Sequence, residues 1–353
     1  MKTRIHQVIS LPRALRRSRG ETVALLFSLL TVGAHAGAQS KTGTTVGQFL
    51  LIEPSARVTA MGNAGTASYD EVESGYYNPA AWGHLERSDA QFSHTMWLAD
   101  ITFNYAAIGV KTDAFGTIVL TLTSLNSGEI DVRTVDQPLG TGERYEVSNT
   151  AIGIGYGFPL TDRFSAGLQV TYIQETIWHS SLTAFAVNFG ALYQVSDDGL
   201  LIGASISNFG TRARYEGTDL RIRFDNNPDT YGDNSNLPGE AYSEEFALPI
   251  LFRVGFAYPL TLGEDHLLWL TADAFHPSDN TESVSFGLEW TFMNLLSLRA
   301  GYQRLFEQDS EVGLTLGAGL EYDIVGFPLH FDYAWADHGR LESSQRLTFG
   351  VRF

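Results

Sequence analysis

The sequence predicts an all-β fold: a transmembrane antiparallel β-barrel of about 14 strands, preceded by an N-terminal segment that does not alternate. Segments of about ten residues that alternate apolar and polar side chains recur along the chain, as in membrane-spanning β-strands. Charged residues make up only 18% of the chain, where soluble proteins average roughly 25%. Aromatic residues make up 12%, and there are 35 glycines and no cysteine. These features indicate an outer surface that faces lipid.

Residues 1–38 predict a cleaved secretory signal peptide. They contain six basic residues and one acidic residue, with an uncharged run over residues 22–34 and the site Ala34-His-Ala36-Gly-Ala38. This order of basic, apolar and small residues is typical of signal peptides. A membrane anchor needs about 20 apolar residues and fits less well. Cleavage after Ala36 or Ala38 changes the net charge from −17 to about −22 and predicts export to the outer membrane of a Gram-negative (diderm) bacterium.

Residues 89–353 are predicted to form the barrel. Val284, Phe286, Leu288, Trp290 and Phe292 alternate with small or charged residues, and three later segments repeat this pattern. A soluble β-sandwich also alternates, but the aromatic ends of the apolar faces and the small inner residues favour a membrane barrel. The count could also be twelve or sixteen. The predicted strands span residues 89–98, 101–111, 115–124, 149–158, 163–178, 180–195, 199–208, 247–259, 266–275, 281–292, 295–304, 310–323, 327–337 and 343–353.

The connections between predicted strands are short at one end and long at the other. Residues 125–148 and 209–246 are predicted to be long outer loops, because the short connections have the opposite phase and suit periplasmic turns. The terminal Phe353 resembles the signal that the barrel-assembly machinery reads. Asp225, Asp229 and Asp233 could hold Ca²⁺, although a solvated acidic loop explains them as well. The outer-loop arginines are candidates to contact an acidic partner, a lipopolysaccharide phosphate or the neighbouring acidic loop: Arg212, Arg214, Arg221 and Arg223.

Residues 39–88 do not alternate, and they are rich in small residues that end in Asn78-Pro79-Ala80. This segment resembles the N-terminal region of the PorV/PorQ family of outer-membrane proteins, relatives of the FadL fatty-acid transporters. The sequence departs from that family at Ala81-Trp82-Gly83, where the family has glycine directly after Asn-Pro-Ala. The residues at matching positions are Ala56, Arg57, Met61, Gly62, Ala64, Asp70, Tyr77, Asn78, Pro79 and Ala80.

The resemblance implies that residues 39–88 form a hatch inside the lumen. A buried Arg57 then needs an acidic partner on the inner wall, with Glu289, Glu321 and Asp332 as candidates, unless it is solvated in a water-filled lumen. His330 shares a predicted inner face with Asp332. These two residues and the two glutamates are the predicted polar residues of the lumen.

The sequence predicts no enzymatic activity, cofactor or metal centre. It contains no His-x-x-x-His or Gly-x-Ser-x-Gly motif, and lumen polarity explains His330 and Asp332 without catalysis. Its acidity and its three lysines also argue against nucleic-acid binding.

Three functions remain open. The first is a partner-binding component of protein secretion of the PorV kind, which the resemblance links to type IX secretion, with cargo or secretion subunits as partners. The second is a FadL-like transporter of hydrophobic molecules such as long-chain fatty acids. The third is a structural barrel. The long outer loops favour the first function, and all three place the chain among outer-membrane lipids and lipopolysaccharide.

Overall fold

Alternation of side chains along the chain produces fourteen long strands. The computed structural model describes residues 42–112, 115–196, 199–227, 229, 236–307 and 310–353. The predicted signal peptide and Asp233 lie outside these residues. The strands, labelled β1 to β14 in chain order, are Asp89–Met96, Thr102–Thr112, Gly116–Asn126, Val147–Thr161, Phe164–Ile177, Ser180–Gln194, Leu201–Gly210, Leu251–Thr261, His266–Pro277, Ser283–Phe292, Leu296–Leu305, Leu314–Ile324, Phe327–Asp337 and Ser343–Arg352.

The fourteen strands close into one antiparallel ring. Each strand pairs with the strands before and after it in the chain, and β14 pairs with β1 through register partners such as Phe349 and Phe92. Phe353 continues this closure, because its backbone N–H donates to the carbonyl oxygen of Ser88 at 2.9 Å. Closure leaves no unpaired sheet edge. The predicted 14-strand barrel is therefore confirmed.

The two faces of each strand differ as the alternation predicts. On β14, Phe349 points outward and is 50% exposed, whereas Thr348 points into the lumen and is 1% exposed. On β3, Ile118, Leu120 and Leu122 are exposed in the same way, while Thr121 between them is buried. An apolar outer face of this kind suits a hydrocarbon environment.

Short turns join the strands at one end of the barrel, here called the turn end, and longer loops join them at the loop end. The loop that follows β3 carries a small hairpin of Ile130–Asp131 and Arg144–Tyr145, and the loop that follows β7 carries one of Arg221–Phe224 and Leu237–Glu240. Glu216–Gly217 adds a short strand to β6. No helix in the described ranges is long and apolar enough to cross a membrane. Single 3-10 turns at the loop end are Leu98–Asp100, Thr218–Leu220 and Gly339–Leu341.

Residues 42–88, here called the luminal segment, lie against the inner face of the barrel. The helix Ala56–Ala60, labelled α1, packs on β11 to β14, and the 3-10 helix Pro79–His84 packs on β3 to β6. The remaining helices of the segment are the 3-10 turn Gln48–Leu51 and the short α2, Ser74–Tyr77. Asn78 begins the second 3-10 helix, because its Oδ1 accepts a hydrogen bond from the N–H of Ala80 at 3.1 Å. Pro79 suits the first position of that helix, where no N–H is needed.

Glycines on the inner wall let the luminal segment approach the strands. A Cβ atom added to Gly301 on β11 would lie 2.2 Å from the backbone nitrogen of Gly62. A Cβ atom on Gly167 of β5 would lie 2.1 Å from the carbonyl oxygen of Pro79. Only glycine permits such close contact between backbones. The small inner faces in the sequence thus provide space for the segment.

The interior of the barrel is apolar on one side and charged on the other. On β2 to β6, Phe103, Leu182 and Ile173 belong to a buried cluster with Trp82 and Leu85 of the luminal segment. On the opposite side, β8 to β14 contribute inward arginines, acids and a histidine. The luminal segment fills the first side, and the second side retains cavities.

Candidate functional site

Two cavities lie along the charged side of the lumen. The turn-side cavity has a volume of about 400 Å³ and is lined by Arg57 and Asp70 of the luminal segment. The loop-side cavity has a volume of about 350 Å³ and is lined by Glu53 and Asn63 of the same segment. The luminal segment therefore contributes to the wall of both cavities.

Arg57 joins the luminal segment to the wall through two carboxylates in the turn-side cavity. Its Nε and Nη2 donate to the two carboxylate oxygens of Glu289 on β10, at 2.9 and 2.7 Å. Its Nη1 donates to Oε1 of Glu71 at 3.1 Å. The side chain of Arg57 is 12% exposed, so both pairs form away from bulk water. Of the three acids expected as partners, Glu289 is the one that contacts Arg57.

The other predicted acids bind different arginines. Asp332 on β13 accepts from Nη1 of Arg299 on β11 at 2.5 Å, and Arg299 Nε also donates to Glu289 at 2.5 Å. Glu321 pairs instead with Arg352, at 3.1 Å and with 40% of its side chain exposed. The buried network therefore runs from Glu71 through Arg57, Glu289 and Arg299 to Asp332.

The remaining motif residues of the segment shape its backbone. Gly62 adopts a φ of 68°, which favours glycine, and its N–H donates to Oγ1 of Thr315 at 3.0 Å. Met61 is buried against the wall beside it. The amide of Asn78 donates to the carbonyl oxygens of Thr66 and Ala191 at 2.8 and 3.0 Å. These bonds fix the segment to the strands.

Asp70 lies at the edge of the turn-side cavity with positive φ, 84°. Burial raises the pKa of its carboxyl to about 6, against the opposing effect of Arg57. Asp70 is therefore the member of the predicted hatch motif that changes charge near neutral pH.

The loop-side cavity combines apolar walls with a buried cation. Leu51 and Ile52 of the luminal segment, Trp97 after β1 and Phe275 on β9 provide apolar surface. Arg346 on β14 is 2% exposed and lines the same cavity. The rest of the lining is mostly polar and includes Asp279, Glu307 and Arg304. Small-molecule sites combine apolar surface with placed polar groups in this way.

Arg346 has hydrogen-bond partners but no counter-charge. Its Nε donates to the carbonyl oxygen of Glu53 at 3.0 Å, and its Nη1 donates to Oγ of Ser344 at 2.9 Å. Its guanidinium carbon lies 5.2 Å from the ring centroid of Trp97. Among the described residues no carboxylate forms an ion pair with it. A guanidinium in such a position has the charge and geometry to bind a carboxylate.

The carboxylate of Glu53, whose backbone carbonyl oxygen binds Arg346, is already paired. Oε1 of Glu53 accepts from Nη2 of Arg253 at 3.3 Å, and Arg253 is held between the rings of Tyr76 and Tyr77 at 6.0 and 5.8 Å. His338, in the loop after β13, lines the cavity as well. Burial, together with Arg346, lowers the pKa of its imidazole to about 4. His338 is therefore neutral at physiological pH, and Arg346 supplies the positive charge.

The wall beside the loop-side cavity contains an irregularity between β10 and β11. Val284 pairs with Leu305 and Phe286 pairs with Tyr302, so two residues of β11 oppose one of β10. Arg304 in this bulge has a φ of 54°, and its N–H donates to Oγ of Ser285 at 3.0 Å. Ser285 and Arg304 both line the cavity. Bulges interrupt the ladder of hydrogen bonds and are frequent next to functional sites.

The predicted outer-loop residues lie apart from both cavities. Arg214 pairs with Glu216 at 3.0 Å, and Nη2 of Arg212 donates to the carbonyl oxygen of Glu245 at 3.0 Å. Arg214 thus pairs with an acid of its own loop, whereas Arg212 contacts a backbone carbonyl. The exposed Arg221 and Arg223 lie on the short hairpin there. In the acidic run, Asp225 accepts from the N–H of Asn227 at 2.9 Å, Asp229 is exposed, and Asp233 is outside the described residues.

Sequence reasoning missed Glu71, Arg299 and Arg346. The last two occupy inward positions of alternating strands, so their direction was readable from the pattern. The partner of each depends on the register of strands far apart in the chain, since Arg57 and Glu289 are 232 residues apart. A short segment without periodicity gave no signal for Glu71.

A closed barrel of fourteen strands with a segment in its lumen defines the class of fold, that of FadL-type outer-membrane barrels. The toluene transporter TodX of Pseudomonas putida superposes with a TM-score of 0.54, at 12% identity over 84% of this chain and 96% of TodX. A Pseudomonas aeruginosa FadL homologue gives a TM-score of 0.50, at 10% identity over 82% of this chain and 95% of that one.

A third structure, the toluene transporter TbuX of Ralstonia pickettii, gives a TM-score of 0.50 at 11% identity, over 84% of this chain and 97% of TbuX. At such identities the likeness shows the fold. No protein-family model matches the sequence, and no curated protein is significantly similar to it.

Proposed function

We propose that the protein is a non-enzymatic outer-membrane transporter for hydrophobic and amphipathic small molecules, exported by its signal peptide. The loop-side cavity carries this proposal, because it joins apolar walls to the buried Arg346, which has no acidic partner among the described residues. The solved structures with the same fold include two transporters that are named for toluene. This function was the alternative interpretation of the sequence.

In this proposal a ligand enters from the loop end and binds with its apolar part on Leu51, Ile52 and Phe275. An acidic head group, where the ligand has one, pairs with Arg346 beside Trp97. The luminal segment acts as the hatch that blocks direct passage to the turn end. The bulge between β10 and β11 is the place where the wall opens sideways, since the cavity reaches it and the strand ladder is interrupted there.

The ligand site is tested by calorimetric binding of decanoate and decanol to the purified full-length protein in detergent. Arg346→Gln should weaken decanoate binding roughly tenfold to a hundredfold, because a charge-assisted hydrogen bond contributes about 1.5–3 kcal/mol. Decanol binding should change less than about twofold. The matched control is Arg340→Gln, an exposed loop arginine outside the cavity. Equal loss of both ligands, or no binding by the wild-type protein, would contradict the proposal.

A second candidate is the partner-binding role in protein secretion that the PorV/PorQ resemblance suggests. The long loops favour it, because Val135, Leu139 and Tyr242 are 98%, 95% and 81% exposed and offer apolar surface that a partner would cover. The resemblance to that family rests on sequence motifs alone. Co-purification of secreted cargo domains or secretion subunits from solubilised outer membranes, with no binding of either decyl ligand, would favour this role over transport.

A further inference from the structure

A second cluster of polar groups lies in the turn-side cavity and takes no part in the transport site. One carboxylate oxygen of Glu71, one of Asp332 and one ring nitrogen of His330 all lie within 4.8 Å of one another. Glu71 belongs to the luminal segment, whereas His330 and Asp332 extend inward from β13. All three side chains are buried and line the cavity. The cluster therefore spans the contact between segment and wall.

His330 has one ring nitrogen without a partner. Its Nε2 lies 2.6 Å from the side-chain amide of Gln91, whereas its Nδ1 has no hydrogen-bond partner among the described residues. The residue is only 4% exposed. A buried polar atom that is left unsatisfied costs about 1–3 kcal/mol, so a group that binds Nδ1 would remove a real penalty.

The two carboxylates also retain free acceptor capacity. Arg57 binds Oε1 of Glu71, and Arg299 binds Oδ1 of Asp332. The second oxygen of each accepts no hydrogen bond from the described part of the chain. The arginines orient the two acids and leave one oxygen of each available, as surrounding hydrogen bonds do for metal ligands.

The charge of the cavity favours a cation as well. Six carboxylates and four arginines line it, so the carboxylates outnumber the arginines by two. A divalent ion would balance this excess within a cavity of about 400 Å³. An imidazole nitrogen with two carboxylate oxygens is a ligand set suited to zinc and related transition metals, which leaves a position open to water.

We propose that Glu71, His330 and Asp332 form a divalent transition-metal site that fastens the luminal segment to the barrel wall. The ion would bind Nδ1 of His330 and one oxygen of each acid. Ligands from both the segment and β13 make the ion a cross-link, so its binding stabilises the closed position of the segment. This site is independent of the loop-side cavity and of what that cavity transports.

Zinc binding to chelator-treated full-length protein in detergent tests the proposal by isothermal titration calorimetry at pH 7.5. We expect one saturable site per chain that binds Zn²⁺ at micromolar concentration or tighter. His330→Gln should weaken this binding at least tenfold. The control His276→Gln alters an exposed histidine that also contacts an acid, Glu282, and should leave the high-affinity site unchanged. Heat-modifiable migration on a gel shows that each variant retains a folded barrel.

A measurement on the wild-type protein covers the case in which His330→Gln does not fold. Co²⁺ bound at the proposed site should give visible absorption bands of a nitrogen- and oxygen-ligated ion, which one equivalent of Zn²⁺ removes. Absence of these bands together with no saturable Zn²⁺ uptake would overturn the proposal. Equal Zn²⁺ affinity in folded His330→Gln would overturn it as well.

Discussion

The luminal segment lines both cavities, but the buried arginines of the two cavities have different kinds of partner. In the turn-side cavity Arg57 and Arg299 are each bound by two carboxylates, and these pairs connect the segment to β10, β11 and β13. In the loop-side cavity Arg346 has only neutral partners beside an aromatic ring. Paired charges restrict motion, whereas an unpaired buried cation attracts a ligand. The difference supports the proposals that one end of the lumen fastens the segment and that the other binds a ligand.

Removing the shared acid of the turn-side network should have the largest effect. Glu289→Gln removes one carboxylate partner from both Arg57 and Arg299, whose side chains are 12% and 5% exposed. Breaking a buried pair costs about 3–5 kcal/mol, because it leaves an uncompensated charge. Urea unfolding of the detergent-solubilised barrel, followed by gel migration, measures the loss.

An exposed pair is the matched control for Glu289. Arg340 and Glu311 join the two loops that flank β12 and β13 at the loop end, with 87% of the Arg340 side chain exposed. Glu311→Gln should therefore cost no more than about 1 kcal/mol. Equal losses in the two variants would mean that the turn-side network is not what holds the segment.

Closing the wall beside the loop-side cavity should reduce transport without weakening binding. Val284 and Leu305 are register partners at the bulge, and directly opposed strand residues lie about 4.5–5.5 Å apart, which a disulfide can span. The chain has no cysteine, so Val284→Cys with Leu305→Cys gives a single defined cross-link. We expect oxidation to lower decanoate uptake into proteoliposomes at least tenfold, with recovery after reduction.

A second cysteine pair, placed away from the bulge, is the control for the position of the cross-link. Phe92 and Phe349 are register partners in the unbroken pairing of β1 and β14, so a cysteine pair there locks a regular part of the ladder. Uptake should be unaffected by oxidation of this second pair. If both cross-links reduce uptake equally, the bulge is not the route by which the ligand leaves the lumen.

Much more of the fold than of the candidate site could be predicted from the sequence. Strand positions follow from a period of two, which residues such as Phe349 and Thr348 display locally, and all fourteen predicted strands are present. The inward direction of Glu289, His330 and Asp332 was equally readable from the strand pattern. The ion-pair partners could not be predicted in the same way. The partner of Arg57 depends on how an irregular segment lies against strands more than 200 residues away.

Short sequence motifs likewise do not identify the function of this barrel. Asn78-Pro79-Ala80 has a structural role in this fold, since Asn78 caps a 3-10 helix, binds Thr66 within the segment and binds Ala191 on the wall. A motif that the lumen requires for packing can occur in barrels with different functions. It therefore indicates a luminal segment more directly than it indicates protein secretion, and the cavities distinguish the functions better.

The smallest expected effect concerns Glu73, which lies between the charged side and the apolar core. Burial raises the pKa of its carboxyl to about 8, although Ser93 Oγ donates to it at 2.5 Å. The unfolded chain has a pKa near 4.5, so the folded state holds a proton that the unfolded state releases between these values. Stability should therefore be full below about pH 4.5 and should fall as the pH rises towards 8.

Glu73→Gln removes this proton and with it the pH dependence. We expect the variant to match the wild-type melting temperature at pH 4.5 and to exceed it by at least about 2 °C at pH 9. The control Glu86→Gln alters an exposed acid near the turn end of the segment and should show no such divergence. A pH-independent difference would mean that Glu73 is charged inside the barrel, which would require a cation beside it and would extend the fastening network of the turn-side cavity into the core.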